Sequence, residues 1–405
     1  MSLDLATLAD AVDRHAAIRR HMTLQPAGGQ YDKIFPPTYP QENGAARHVF
    51  EQRRIQGEPR WCVLIDSVAA QANRLEAALV EAARAGEITL PFIETDFTDT
   101  DLADIGRIST LDAPHRAFDA IIRDSRQGDK AFPQSELGIA LTRARMDRAT
   151  AMFEATPNAL LFGAWNSTGE GGGLGAKFPR ALVSEIVGID AQGGYKVASR
   201  IDPFNTAADI TIHAEGYRKG GKKYVTGDWS LRKEDLANPT IEVKPSEINH
   251  SNVRPSVDEG GVTVEYASHS AVVTLAGLRR LRFPDGETPA TPERNRAART
   301  MLAAMGLYAL AAQDRAGFAL RSRCDLVPEA PARFELVAGD GTAETFDLSA
   351  DEARALYEDA VAGAREAGFS ISAEPHTLTP SARLVELVRK SREKAEAGQA
   401  EPDAA

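Results

Sequence analysis

Apolar positions along the chain follow two kinds of pattern. From Leu3 to Met22 they recur at helical spacing and predict an amphipathic helix, whereas Trp61-Cys62-Val63-Leu64-Ile65 is an unbroken apolar run of strand length. Asp66-Ser67 then supplies an N-cap, and Leu75, Ala78, Leu79 and Ala82 make the apolar face of a helix reaching about Arg84. Pro114 suits the first turn of another helix, with Ala117, Phe118, Ile121 and Ile122 as its buried stripe and Arg116, Asp119 and Arg123 opposite. Two apolar strand candidates, around Leu161-Phe162 and Ala181-Leu182, flank a glycine-rich loop. Residues 191–259 are rich in turn residues and basic side chains and read as an irregular insertion. Val262–Tyr266 and Ala271–Leu275 return to strand patterning, Pro292 opens a helix through about Ala316, and Phe318–Val327 with Phe334–Val337 close the sheet. Strand, helix, strands, helix, strand is the order of an α+β fold with a ferredoxin-like or RNA-recognition-motif core carrying added elements. Residues 1–390 are therefore expected to form one elaborated domain, with core elements near 61–84, 160–188 and 262–337 and the insertion near 191–259. Residues 391–405, charged and Ala-rich, read as a flexible tail.

At 405 residues the chain exceeds one ordinary hydrophobic core, and 43% hydrophobic with 26% charged residues is a globular composition. The longest apolar or small run, Met301 to Ala312, suits a buried helix and is too short to cross a bilayer, which takes roughly 20 residues. Met1-Ser2-Leu3-Asp4-Leu5 lacks the cationic start and apolar run of a secretory signal, so no membrane partner is expected and the location is read as cytoplasmic. Cys62 and Cys324 sit in apolar stretches without a metal-ligand companion and read as core residues. The net charge of −11 argues against a protein that coats nucleic acid with its whole surface. Its distribution changes that picture. Glu76 to Asp112 holds nine acids against two bases and Phe346 to the end twelve against seven, a combined −12 (−7 and −5), so the remainder carries +1. Within it His115 to Arg148 has seven bases against five acids and Lys177 to Arg254 twelve against ten, which allows a basic groove on an acidic body.

The candidate chemistry centres on the glycine loop. Thr168 to Ala176 holds five of the 32 glycines, and a loop without Cβ atoms can turn its amides toward a bulky anion, with Lys177 and Arg180 beyond it to neutralise phosphate. A nucleotide P-loop does not fit, because Ala176 separates Gly175 from Lys177 and no Ser or Thr follows the lysine, and no G-x-G-x-x-G register fits either. A ligand-free hairpin remains the alternative; contact with a nucleic-acid backbone is favoured because Trp165 is placed to stack on a base, with Ser167 and Thr168 beside it. Gln71, Asn73 and Arg74 follow a strand and start a helix, where exposed amides can hold an anion; capping by Ser67 and ordinary pairing of Arg74 is the competing account. Asp119 with Arg116 and Arg123 can equally be a row of intrahelical salt bridges. His115 has no identifiable nucleophile partner, and the eight histidines show no metal-ligand spacing, so no catalysis, metal or cofactor is expected. Arg218-Lys219-Gly220-Gly221-Lys222-Lys223 reads as a cationic hairpin tip, and the loop bearing His250, Asn252 and Arg254 can meet bases or backbone, although a solvated turn explains each as well.

Three groups of residues taken together resemble one family. They are Leu64-Ile65-Asp66-Ser67 with Gln71 to Glu76, Ala113-Pro114-His115-Arg116 with Arg123-Asp124-Ser125, and Leu161 to Gly169 with Lys177; Arg180 to Gly188, His250 to Pro255 and Leu278 to Phe283 add to them. Across roughly residues 24 to 330 the chain resembles the CRISPR-associated RAMP-superfamily backbone subunit, the Cas-seven family, of the type I-G (formerly I-U) Cascade complex. The resemblance implies a palm of RNA-recognition-motif type with large inserted finger and thumb elements, and copies of the chain polymerised along a crRNA. It implies as partners the crRNA, target DNA through the guide, copies of itself, and a large subunit with a Cas-five/Cas-six-like subunit. Carried onto this sequence, the RNA contacts would be Gln71, Asn73, Arg74, His115, Arg116, Arg123, Trp165, Ser167, Thr168, Lys177 and Arg180, with His250, Asn252 and Arg254 in the thumb. Two other readings stay open: a metal-dependent RNA-cleaving relative using Asp202, Asp209 or Asp258, and a nucleotide-binding enzyme built on the glycine loop.

Overall fold

The computed structural model describes residues 3–41, 44–167, 176–219, 221–236 and 238–398. Helix and strand are mixed, at 33% and 36%. The chain forms two compact units, one running up to Gly193 and from Gly261 to Leu384, the other from Gly194 to Gly260 and from Val385 onward.

The first unit opens with α1 (Leu5–Arg14), capped by Asp4, whose carboxylate accepts from the Thr7 amide at 2.8 Å. The helix stops at His15, and β1 (Ala17–Pro26) follows where the apolar spacing predicted continued helix. Ile18, Arg20, Met22 and Leu24 alternate into the interior. A buried arginine in that row disguises the period of two, and Ile18 with Met22 mimics an i, i+4 pair.

The other elements of the large sheet and its helices are β2 (Phe50–Ile55), β3 (Glu58–Asp66), α2 (Val68–Arg84), β4 (Leu182–Ile189), β5 (Tyr266–Thr274), α3 (Pro292–Ala316), β6 (Phe318–Arg321), β7 (Cys324–Pro328), β8 (Arg333–Val337) and β9 (Ala343–Phe346). The strands lie in the order β6-β7-β1-β5-β4-β3-β2, all antiparallel to their neighbours, and the sheet curls into a half-barrel. β8 pairs with the first half of β1, from Ala17↔Val337 to His21↔Arg333, and β9 pairs with β8. The connection from β1 to β4 thus contains α2, and that from β5 to β8 contains α3.

α3 is buried on nearly every side from Ala298 to Gln313, because α1, α2 and a further helix, α4 (Ala350–Glu366), pack around it. Such a helix needs apolar or small residues all round, which Met301 to Ala312 supply. Ser67 caps α2 as expected, accepting from the Ala70 amide at 3.2 Å. Cys62 and Cys324 are buried, and burial pushes the Cys324 thiol up to about 11. A smaller five-stranded sheet joins Arg107–Ser109, Ile93–Asp96, His376–Pro380, Ser125–Gln127 and Lys130–Ala131. None of its strands is longer than five residues, too short to show a period in the sequence.

The second unit is strand-rich where the sequence reads as irregular. Lys222–Ser230, Ile212–Lys219 and Thr240–Val243 form a three-stranded sheet over Ile212, Ala214, Ile241 and Val243, and Gln192–Arg200 pairs with Val253–Thr263 as a two-stranded ribbon. The Gln192–Arg200 strand has almost no buried face, so its sequence carries no apolar alternation to read. The tail expected over 391–405 is helical through Gly398, within Ala382–Gly398; residues 399–405 lie outside the described residues. Among the described residues no helix is long and apolar enough to cross a membrane.

Candidate nucleic-acid interface

The residues expected at the start of α2 divide. Asn73 is exposed, but the Gln71 side chain is fully buried, and Arg74 donates from Nε to Asp66 at 2.9 Å and from Nη2 to the Leu320 carbonyl at 2.6 Å. Asp66, itself fully buried, also accepts from Gln71 Nε2 at 2.8 Å and from Arg321 Nη2 at 2.9 Å, so three donors compensate one buried carboxylate. The chain of bonds continues inward. Ser184 Oγ donates to Gln71 Oε1 at 3.0 Å and lies 2.8 Å from His269 Nε2, while Arg20 Nη1 is 3.0 Å from His269 Nδ1. A guanidinium only donates, so Nδ1 accepts and the His269 proton sits on Nε2, pointing to Ser184. Burial, with Arg20 beside it, holds His269 well below the usual histidine range. Arg20 is paired in turn with Asp314.

A second buried cluster lies at the foot of the hairpin stem that begins at Gly163. Arg116, in the left-handed region at φ 52°, donates to both oxygens of Glu76 at 2.7 and 2.6 Å and to the Gly163 carbonyl at 3.1 Å. Asn158 donates to Glu76 at 2.8 Å and to the Thr110 carbonyl at 3.1 Å. Arg116 therefore does not sit on an exposed helix face. Its segment is a single turn, Arg116–Phe118, followed by the four-residue helix Ala120–Arg123, because Asp119 turns its carboxylate to the Ile121 and His115 amides and caps that short helix. The expected row of Asp119 bridges is replaced by Arg116 on Glu76 and Arg123 on Asp124. His115 is exposed.

Leu161-Phe162 is buried as the end of a short helix, Asn158–Phe162, and not as a strand; a short apolar run satisfies either period. Gly163, at φ 86°, then turns the chain into a hairpin stem in which Ala164–Trp165 pairs with Lys177–Phe178. A Cβ on Gly163 would fall 2.9 Å from the Arg180 side chain, whose Nε donates to the Phe162 carbonyl at 3.1 Å. Trp165 is 51% exposed, and the Lys177 ammonium lies 5.3 Å from its ring centroid. Ser167 is exposed, whereas Thr168 and Gly169 to Gly175 lie outside the described residues. Against this stem opens a cleft of about 430 Å³ with Arg123, Arg143 and Asn166 among its walls. In the sequence Arg143 shows only as one member of the basic surplus of residues 115–148, with no motif around it to single it out.

In the second unit His250 is half-buried and packs edge-on against Trp229, with ring centroids 5.6 Å apart. Asn252 Oδ1 accepts from the Asp202 amide at 2.6 Å. The Arg254 side chain lies outside the described residues. Lys219 pairs with Lys222 at the hairpin tip, and Lys223 reaches Glu247 at 3.2 Å. Thr206, through its side chain and its amide at 3.0 Å, and the Phe204 amide, also at 3.0 Å, hold the Asp202 carboxylate below the usual carboxylate range. Asp258 accepts from Ser256 at 3.1 Å. Among the described residues no three His, Cys, Asp or Glu side chains stand together to hold a metal.

Residues 18–193 match the model of the family described as CRISPR-associated protein GSU0053 (Cas_GSU0053). The match supports a CRISPR-associated protein and suggests a CRISPR-related role. No curated protein matches the chain.

Proposed function

We propose that the chain is the crRNA-binding backbone subunit, of the Cas-seven family, in a type I-G surveillance complex. Copies line up along the guide and leave its bases free to pair with target DNA. Phosphate and ribose contacts supply affinity in such a subunit, and pairing with the guide supplies specificity. The match over residues 18–193 supports the CRISPR role. The order β8-β1-β5-β4, with α2 and α3 in the two crossing connections, supports a ferredoxin-like palm, whose fourth, first, third and second strands lie side by side.

The observation that carries RNA contact is the pairing of exposed Trp165 with Lys177 on the stem of the glycine-rich loop, a stacking surface beside a phosphate-neutralising charge. Arg180 extends that charge, with Arg123 across the cleft. Gln71, Arg74 and Arg116 act one step removed, by holding the palm and the loop stem. The acidic surfaces are assigned to the adjacent protomer and to the other Cascade subunits.

Purification after co-expression with a CRISPR array and the remaining complex subunits tests the reading: short RNA of uniform length is expected with the protein, and its absence refutes the proposal. Incubation of that complex with Mg²⁺ and complementary RNA is expected to leave the RNA whole. Products at regular intervals would replace the backbone role with a cleaving one.

A further inference from the structure

The cleft beside the Trp165 hairpin has a composition unlike the rest of this acidic chain. Phe118, Phe132, Ile139 and Leu141 give it apolar walls, Arg123, Arg143 and Asn166 give it polar ones, and among the described residues no carboxylate lines it. Arg123 and Arg383 both bridge Asp124, at 3.0 and 2.6 Å. Arg143 is exposed and makes no ion pair among the described residues. A volume of about 430 Å³ falls in the range of small-molecule sites, roughly 300 to 1,000 Å³. Apolar walls suit a flat ring, an amide suits its polar edge, and two guanidiniums suit an anion attached to it. A fatty chain would leave the guanidiniums unused, and inorganic phosphate would leave the apolar surface wet.

We infer that this cleft receives one nucleotide of the bound RNA, with the base against Phe118 and Ile139 and its phosphate at Arg123 and Arg143. The inference rests on the RNA-binding reading above, because Asn166 follows Trp165 directly in the hairpin stem. It gives that hairpin a second role: Trp165 stacks one base outside, and the cleft takes another.

The test uses the full chain and a short single-stranded RNA carrying 4-thiouridine, read by affinity and by the position of the photo-crosslink. Ile139→Trp fills the cleft from a side chain that is already 38% exposed, and Arg143→Glu reverses one wall charge. Wild-type crosslinks are expected within residues 118–143 or at Asn166. Both variants are expected to weaken binding about ten-fold or more, the scale of one base stacked on a side chain, at an unchanged melting temperature. Wild-type crosslinks elsewhere, or affinity unaltered in both variants, overturn the cleft assignment while leaving RNA binding in place. A wild-type chain that binds no RNA overturns the function proposed above and this inference with it. Where a variant melts early, the wild-type crosslink position alone decides.

Discussion

Replacing Arg116 by Ala separates a residue that holds the loop stem from one that touches RNA. In the folded chain Arg116 is 9% exposed and makes three hydrogen bonds, two to Glu76 and one to the Gly163 carbonyl. Its loss strands a carboxylate that is 1% exposed and retains only the Asn158 bond. Breaking a buried pair in this way typically destabilises by about 3 to 5 kcal/mol, and the surviving Asn158 bond argues for the lower end. At a urea dependence of about 3 kcal/mol per molar, the first unit would then unfold about 1 M earlier. The pH response identifies the cause. Burial pushes the Glu76 carboxyl up even against the pull of Arg116, so without Arg116 it is raised further. A carboxyl whose folded pKa is raised above the unfolded value near ~4.3 is most favourable at low pH. Stability is lost as pH rises from there through the raised pKa, then levels off. The variant should therefore be least impaired in acid, and Glu76→Gln on the Arg116→Ala background should recover much of the loss at neutral pH. A loss under about 1 kcal/mol, or an equal loss with and without Glu76→Gln, would refute the reasoning and return Arg116 to the set of direct RNA contacts.

Acid should weaken the fold through His269, whose folded pKa is held below the unfolded value near ~6.5: stability is complete above that value and falls below it by up to about 1.4 kcal/mol per pH unit. His21 and His376 are also lowered, so His269→Gln is expected to reduce the slope of urea stability between neutral and mildly acidic pH without abolishing it, and an unchanged slope counts against the assignment. Gly138→Ala would place a Cβ 1.8 Å from the Phe132 carbonyl oxygen, with Ser135 fixing that turn by bonds to the same carbonyl and to the Gly138 amide. A loss of about 1 to 3 kcal/mol or more is expected from thermal melting, and a wild-type transition would contradict the geometry. Trp165→Ala should weaken RNA binding by about 1 to 3 kcal/mol if one base stacks there, and Lys177→Glu should lower the salt dependence by about 0.7 in log–log slope for each phosphate that it no longer neutralises. Neither effect appears if the hairpin stem faces away from the strand.

What the sequence discloses of this molecule depends on whether burial is one-sided. The strand at Trp61–Ile65, the Ser67-capped helix and the long helix from Pro292 to Ala316 are legible because apolar runs, caps and prolines act locally. β1 is hidden because Arg20 occupies an interior position that Asp314 and His269, distant in sequence, help to make tolerable. Gln192–Arg200 and Lys222–Ser230 are hidden for the opposite reason: their faces are largely solvated and show no period. The same logic divides the candidate site. Arginine types at a helix start or beside a glycine loop look alike in sequence, yet Arg74 and Arg116 face buried acids, while Lys177 lies over an exposed indole and Arg143 lines a cleft whose described walls hold no carboxylate. An arginine's role is set by where its acid is, and the acids that claim Arg74 and Arg116 lie eight and forty residues away. Net charge is equally uninformative about local sign. A chain of −11 leaves a cleft with no carboxylate among its described lining residues because its acids concentrate in Glu76–Asp112 and after Phe346, and because Asp124 bridges two arginines.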